Sequence, residues 1–400
     1  MTQSFNLNGK TFSPCDAGFQ SALHECYTSK VRPLCLCKNP ALEMYIAKLK
    51  SSYVVKRMPL TGDRHDVDCP SFELPPELSG LGEVMGGAIK DNMDDGTTTL
   101  KLGFPLSKGR AHKAGDGIGS EKDSVSSDGK KLSLRGMLHY LWEQAGFNRW
   151  SPAMADKRNW YVIRKYLYEA AQHKMAKGAA LDSVLFIPEM FRVEQKDDIA
   201  TRRLSALKPL VSQHSGSKPL MLMIGEAKEI TAARHGYKMV LKHLPDFHVM
   251  LDEDIYRRMM KRFDGEIELW GCEEQSHLIV VGTFSLSVSG IPKFEELALM
   301  NVSTQWLPFE HHADYALVNG LVNAHKSFIK PLRYNLSSDK PIACAIVTAK
   351  NKELTAIYVC PALASADYKA AVSRLMNESS IPCIRWDAGD EGLPNLATVA

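Results

Sequence analysis

Three thiols and one imidazole carry the most specific chemistry in this 400-residue chain. Cys35 and Cys37 form a C-x-C pair, and His65 and Cys69 follow at the spacing C-x-C-x27-H-x3-C. Thiolate and imidazole are soft donors, and four of them leave no open coordination position, so the set suits a structural Zn²⁺ rather than a catalytic one. A C-x-C pair chelates one ion where the backbone turns tightly, and Lys38-Asn39-Pro40 supplies turn residues just beyond it. His65 and Cys69 lie four residues apart and can share one side of a single helical turn. The competing reading is a group of ordinary buried thiols with a surface histidine. Cys15, His24 and Cys26 offer substitute ligands, an alternative that spacing alone leaves open.

No catalytic constellation accompanies the quartet. Glu226-Ala227-Lys228 has the E-x-K form in which a carboxylate holds Mg²⁺ and a lysine polarises the attacking water, but no upstream strand Asp goes with it. An ion pair on an edge strand is the favoured reading there, and no catalytic residue is assigned. The stretch Gly109 to Gly119 lacks G-x-x-x-x-G-K-[ST] and a feeding strand, so it is not a phosphate loop.

A second feature is electrostatic. The whole chain carries a formal charge of +3, too small to mark a nucleic-acid protein. Between Lys130 and Lys177, however, ten lysines and arginines face only Glu143, Asp156 and Glu169, interleaved with Trp150, Trp160, Tyr161, Tyr166 and Tyr168. Cations release counterions from a phosphate backbone and aromatics stack on unpaired bases, so Arg135, Arg149, Lys157, Arg158, Arg164 and Lys165 are the candidate contacts to DNA or RNA. A solvated helix face over core aromatics is the alternative.

The elements that position these groups give an α+β multidomain chain. Residues 1–106 form a zinc-binding, β-rich module with strands Glu43–Leu49 and Ser52–Met58 as a hairpin that returns His65 and Cys69 to the C-x-C pair. Residues 107–131, rich in Gly, Ser, Lys and Asp, are a flexible linker. Residues 132–210 are a basic, winged-helix-like domain: a helix capped by Ser133 over Leu134–Ala145, a second over Asp156–Lys177, a strand Ser183–Ile187 and a third helix Asp197–Leu210. Residues 211–306 are β-rich, with strands Pro219–Ile230 and Tyr237–Leu244, a helix Glu253–Phe263, and strands His277–Val288 and Leu297–Leu307. Residues 307–400 form an α/β domain with the order helix, strand, strand, helix, strand. The polar N-terminus and the absence of an apolar run approaching ~18 residues predict a cytoplasmic protein with no membrane partner.

Three resemblances follow from these residues. The C-x-C with a later second pair resembles a SWIM-type zinc finger, with H-x3-C here replacing that family's C-x-H. The last ~90 residues resemble a PD-(D/E)XK nuclease core; Glu310 and Asp339 approach the family's carboxylate positions, but Ala356-Ile357-Tyr358-Val359-Cys360 lacks its E-x-K, which implies a degenerate scaffold. Over nearly its full length the chain is similar to the bacterial domain of unknown function number eleven seventy-three, through the C-x-C, Arg57-Met58-Pro59-x-Thr61-Gly62 with His65 and Cys69, Ile224-Gly225-Glu226, Leu241 to Pro245, and Pro331 to Leu336. That resemblance implies a mobile-element setting, with nucleic acid or protein partners from a plasmid or integrative element. The expected role is a zinc-stabilised, non-catalytic nucleic-acid-associated accessory protein. A divalent-metal nuclease using Glu226 and Lys228, or Glu310 and Asp339, and a protein–protein adaptor are the alternatives.

Overall fold

A computed structural model describes residues 3–49, 52–109, 129–211, 218–273, 275–389 and 392–396. Near the N-terminus, β1 (Phe5–Leu7), β2 (Lys10–Phe12), β3 (Leu34–Cys35), β4 (Leu42–Leu49) and β5 (Ser52–Arg57) make one sheet in the order β2-β1-β3-β4-β5. The expected hairpin is present, with Met44 to Leu49 antiparallel to Arg57 to Ser52. Helix α1 (Phe19–Ser29) packs Leu23 and Cys26 against Phe5, Leu7, Met44 and Ile46. This core is small, and a core of that size gains from a covalent or metal staple. Beyond β5 the chain turns at Gly62, whose carbonyl accepts from both His65 N (3.3 Å) and Glu73 N (3.1 Å). A Cβ at position 62 would come within 2.6 Å of Glu73 Cβ, so the turn requires glycine.

The middle of the chain departs from its expected helices where tertiary pairing overrides local propensity. It contains α2 (Leu81–Val84), β6 (Ile89–Asp91), β7 (Thr98–Leu100), β8 (Ser107–Lys108) and α3 (Leu134–Gln144). Ser133 caps α3, its Oγ accepting from Gly136 N at 3.0 Å. After β9 (Arg149–Trp150), α4 (Trp160–Ala171) is shorter than Asp156–Lys177 at both ends. Asp156 has φ 56, outside the helical region, and Asn159 is the true cap. Lys174–Ala176 leave the helical pattern as β10 to pair parallel with β7, and β11 (Ala179–Ala180) completes a sheet in the order β11-β10-β7-β6. A helical turn α5 (Leu181–Val184) and β12 (Leu185–Phe186) replace the expected strand, while α6 (Lys196–Ala206) and α7 (Lys208–Val211) replace one continuous third helix.

Next comes a closed barrel. After β13 (Lys218–Pro219), which pairs with β8, the chain forms β14 (Met221–Ala232), β15 (Tyr237–Leu241), β16 (Leu244–Leu251), helices α8 (Glu253–Arg262) and α9 (Asp264–Cys272), β17 (His277–Leu286) and β18 (Pro292–Val302). The ring order is β14-β15-β16-β18-β17 and back to β14, with β16 and β18 parallel and the other pairs antiparallel. Strand β14 serves two neighbours: Met221 to Ala227 face β17, and from Ala227 onward it follows β15 past a bulge. Such a bulge supplies the curvature that closure needs. The parallel seam rests on Met250 opposite Lys293 and is reinforced by Lys293 Nζ on Asp252 Oδ2 at 2.8 Å, while Asp252 Oδ1 caps α8. The strands expected over Pro219–Ile230, Tyr237–Leu244, His277–Val288 and Leu297–Leu307 correspond to β14, β15, β17 and β18, while β16, which has no expected counterpart, supplies the parallel pairing that closes the ring.

The C-terminal region contains β19 (Pro308–Phe309), α10 (His312–Asn323), β20 (Ser327–Ile329), β21 (Ala345–Thr348), β22 (Leu354–Cys360), α11 (Ala366–Glu378) and β23 (Cys383–Asp387). One sheet runs β23-β22-β21-β20-β9, parallel only between β22 and β23. Its strands obey period two. Phe328, Val347, Ile357 and Val359 face a core containing Leu317 and Leu321 of α10, while Ile329, Ile346, Ala356 and Tyr358 face Val372 of α11 together with Phe72, Leu74 and Leu78 from far upstream.

Boundaries at 106, 210 and 306 therefore do not separate independent cores. One apolar cluster runs from Leu81 through α3, α4 and the barrel to Tyr334. Helices α3 and α4 are packed into the barrel's core and do not form a self-contained winged-helix-like unit. Of the expected linker, 110–128 lies outside the described residues and Ser107–Lys108 is strand β8. The upstream and downstream parts meet where Gly80 N donates to the Leu332 carbonyl at 2.9 Å, and a Cβ at position 80 would fall 2.0 Å from Arg333 O. Gly80→Ala is expected to lower stability by about 2 kcal/mol through this overpacking, measured as the shift in chemical denaturation midpoint.

Candidate metal centre and nucleic-acid-binding surfaces

The structure brings Cys35, Cys37, His65 and Cys69 together, with their ligand atoms all within 4.8 Å of one another. Cys35 ends β3, Cys37 follows in the loop before β4, and His65 and Cys69 both follow the turn that Gly62 begins. Cys35 Sγ lies 3.8 Å from Cys69 Sγ, and His65 Nδ1 lies 3.3 Å from Cys37 Sγ and 3.7 Å from Cys69 Sγ. A tetrahedron with arms of ~2.3 Å to sulfur has edges of about 3.8 Å, so the spacing fits one four-coordinate metal ion. Cys15 is exposed, Cys26 belongs to the small core, and His24 Nδ1 pairs with Tyr53 OH at 2.9 Å, so none of the three joins the cluster.

The surroundings suit thiolates. Gln3 Nε2 donates to Cys35 Sγ (3.5 Å) and Cys69 Sγ (3.6 Å), Asp66 N to Cys37 Sγ (3.5 Å), and Ser71 N to Cys69 Sγ (3.5 Å). Cys69 alongside it draws the Cys35 thiol down to about 3 against the opposing effect of burial. The same contact pushes Cys69 up, and burial pushes Cys37 up. Thiols this close cannot all ionise unless a cation lies among them, and a coordinated metal supplies that charge. Gln3, 32 residues before Cys35, has no sequence signature as a partner.

The six basic candidates divide in two. Arg135 donates to the carbonyls of Tyr334 (3.0 Å) and Leu336, and Arg149 donates to the Phe72 carbonyl. Arg158 holds the carbonyls of Phe147 (3.2 Å), Gln305 (3.0 Å), Gly146 (3.2 Å) and Arg149, and burial lowers it to about 10. Arg164 donates to the Ile187 carbonyl at 3.0 Å and lies over the Tyr168 ring. These four guanidinium groups staple the fold, satisfying loop carbonyls with their forked donors. Lys157 and Lys165 are exposed, and with Tyr161 and Tyr166 they leave a basic, aromatic surface on and beside α4. Trp150 and Trp160 are core residues.

Glu226 is buried in the barrel, not paired on an edge strand. It accepts from His277 Nδ1 (2.7 Å) and Lys242 Nζ (2.9 Å), with His243 Nε2 at 3.9 Å. Burial opposes its charge, but those two donors override it and hold the carboxyl below its ordinary range. His277 stacks on Trp306 and His243 on Trp160. Lys228 is exposed at the bulge. Glu310 is held bidentately by Arg333, and Asp339 is exposed. Among the described residues, the Cys/His quartet is the one cluster of three or more metal-ligating side chains.

Fold and site together define a mixed α/β protein built around a closed five-stranded barrel and carrying a three-cysteine, one-histidine cluster that could hold a metal ion. The chain belongs to the family described as Protein of unknown function (DUF1173), whose profile matches residues 5–389. Neither the curated proteins nor the solved structures yield a match. Among the described residues, no helix is long and apolar enough to cross a membrane.

Cys35→Ser and Cys69→Ser are expected to abolish metal retention and to cost more than about 3 kcal/mol, whereas Cys15→Ser keeps full metal content; elemental analysis and denaturation of the purified variants check this. A pH effect also follows. Burial lowers His243 from 6.5 to about 4, so the fold refuses a proton that the unfolded chain accepts, and stability falls as pH drops from 6.5 toward 4. His243→Phe should flatten that slope by up to about 1.4 kcal/mol per pH unit, read from denaturation curves across the window.

Proposed function

We propose that the protein is a zinc-stabilised, non-catalytic nucleic-acid-associated accessory protein of a bacterial mobile element, with the barrel and the α4 surface as its contacts to a single strand. The observation that carries this reading is the barrel's connectivity: five strands in the ring order first, second, third, fifth, fourth, a parallel seam between third and fifth, and helices between third and fourth. Barrels of the oligonucleotide/oligosaccharide-binding type share this plan and bind their ligands across the second and third strands and the adjoining loops. That is an argument from architecture, so the residues have to support it.

Here the corresponding turn between β14 and β15 carries exposed Arg234 and His235, followed by Lys238 on β15. The loop between β17 and β18 exposes Val288 and Ile291, apolar groups suited to contact with unpaired bases. The three-thiol, one-imidazole donor set favours zinc as the ion, and four protein ligands with no vacant position support a structural role. The C-terminal order of helix, three strands, helix, strand supports a scaffold related to the PD-(D/E)XK nucleases, with Glu310 held by Arg333. The mobile-element setting is carried by the family resemblance alone.

A labelled single-stranded oligonucleotide should bind with an affinity that falls steeply with salt, log K declining about 0.7 per phosphate neutralised against log salt. Arg234→Ala with Lys238→Ala, or Tyr161→Ala with Lys165→Ala, should weaken binding roughly tenfold in fluorescence anisotropy. Failure to bind any DNA or RNA at about 50 mM salt would overturn the reading in favour of a protein–protein adaptor. Nicking of plasmid DNA with Mg²⁺ or Mn²⁺, lost on Glu226→Ala or Asp339→Ala, would instead establish the nuclease alternative.

A further inference from the structure

A polar cavity of about 210 Å³ lies where the β4–β5 hairpin, the segment after Cys69, the β6–β7 strands, α3 and β10 converge. Lys56 and Lys174 enter it from strands far apart in sequence. Lys56 donates to the Gly96 carbonyl, and Lys174 Nζ donates to Thr98 Oγ1 at 3.2 Å. Among the described residues, neither ammonium has a carboxylate in direct contact. Of the two acidic groups in the wall, Glu73 is engaged by Arg57 and Asp91 accepts from Thr98 Oγ1 at 2.7 Å.

Burial lowers the pKa of both lysines, and Lys174 adds to the effect at Lys56, against the opposing pull of Asp91 on both, of Asp95 on Lys56 and of Glu73 on Lys174. Besides Glu73 and Asp91, the polar lining offers the hydroxyls and amide of Ser71, Thr98 and Gln144 and two phenols. Burial raises the Tyr45 phenol to about 12 and raises Tyr140 further, so both hydroxyls keep their protons. With Arg57 and Glu73 neutralising each other, two ammonium groups face the single carboxylate of Asp91, and with two phenols beside them the space suits a compact anion with several acceptor oxygens better than a neutral or cationic ligand. At roughly 30 Å³ per water, the cavity has room for a phosphate group and a small appendage, with anything larger extending outside.

We infer that this cavity is a binding site for a phosphate monoester, in which Lys56 and Lys174 supply the positive charge and Tyr140 orients an oxygen. The proposal does not rest on the nucleic-acid reading, because no residue lining the cavity belongs to the β14–β15 turn, the β17–β18 turn or α4. The source of the phosphate is a small phosphorylated molecule, inorganic phosphate itself, or the terminal phosphate of a strand.

Titration calorimetry on the full-length, metal-loaded protein with inorganic phosphate, a nucleoside 5′-monophosphate, and a short oligonucleotide with and without a 5′-phosphate separates these sources. Saturable binding is expected in at least one phosphate-bearing arm, weakened at least tenfold by Lys56→Met or Lys174→Met and a few-fold by Tyr140→Phe, which removes a single hydroxyl. Lys340→Met, outside the cavity, should leave the affinity unchanged. For the oligonucleotide, the affinity gained from the 5′-phosphate is the quantity that the cavity variants must abolish. Thermal unfolding of each variant verifies that it is folded, and Tyr140→Phe provides the test if a lysine variant is not. No binding of any phosphate at millimolar concentration, or equal affinity in wild type and folded cavity variants, overturns the proposal.

Discussion

The constraint on which most of the structure depends is a buried stretch of irregular backbone, residues 331–336. Such a segment has no strand or helix partners of its own, so its peptide groups need donors and acceptors from elsewhere. Helix α3 supplies them: His139 Nδ1 accepts from Tyr334 N (2.9 Å), Arg135 donates to the carbonyls of Tyr334 and Leu336, and Ser133 N and Oγ both donate to Asn335 Oδ1. Tyr334 OH donates to Glu143 Oε2 at 2.6 Å, and burial raises that carboxyl to about 7. Arg333 turns the other way to grip Glu310. One turn of chain thereby ties the α3 layer to the C-terminal sheet.

Lys330 Nζ lies 3.2 Å from Asp314 Oδ1, and Cys344 Sγ donates to the same oxygen, a buried polar group beside the sheet. Buried ion pairs of this kind contribute less to net stability than their distances suggest, because desolvation opposes the attraction. Their effect is to make alternative packings expensive. Removing one partner leaves an unpaired charge in an apolar setting, so the sheet, α10 and the keystone segment keep a single register.

Much of the candidate site was legible from residue type and spacing, because metal chemistry is local in donor type even when ligands are distant. The four ligands, the hairpin between them and the Ser133 cap all follow from short-range rules. The barrel's closure was not legible, since it depends on a parallel pairing of Met250 with Lys293 across two helices. Nor could sequence distinguish an arginine that binds loop carbonyls from one that faces solvent. Arg135 and Lys165 look equivalent as letters, yet one lies in the interior and the other does not. The segment Gln172–Lys177 shows the same limit: its helical pattern is genuine, and β7 outcompetes it.

Strand β9 has a consequence of a different kind. Arg149–Trp150 pair with Phe328 and Ile329 along the outer side of β20, so a short piece of chain from before the barrel shields what would otherwise be an open sheet edge. Unshielded edges recruit other strands, which is how intermolecular sheets and swapped dimers begin. The β20 edge is thus covered by residues encoded nearly two hundred positions earlier, a long-range pairing of the kind that slows folding. A fragment cut at the apparent start of the C-terminal region would lose that shield along with the apolar cover from Phe72, Leu74 and Leu78. For this chain, the smallest well-behaved unit is set by the far ends of its interlocked layers, and a nascent chain exposes the β20 edge unless β9 is already in place to receive it.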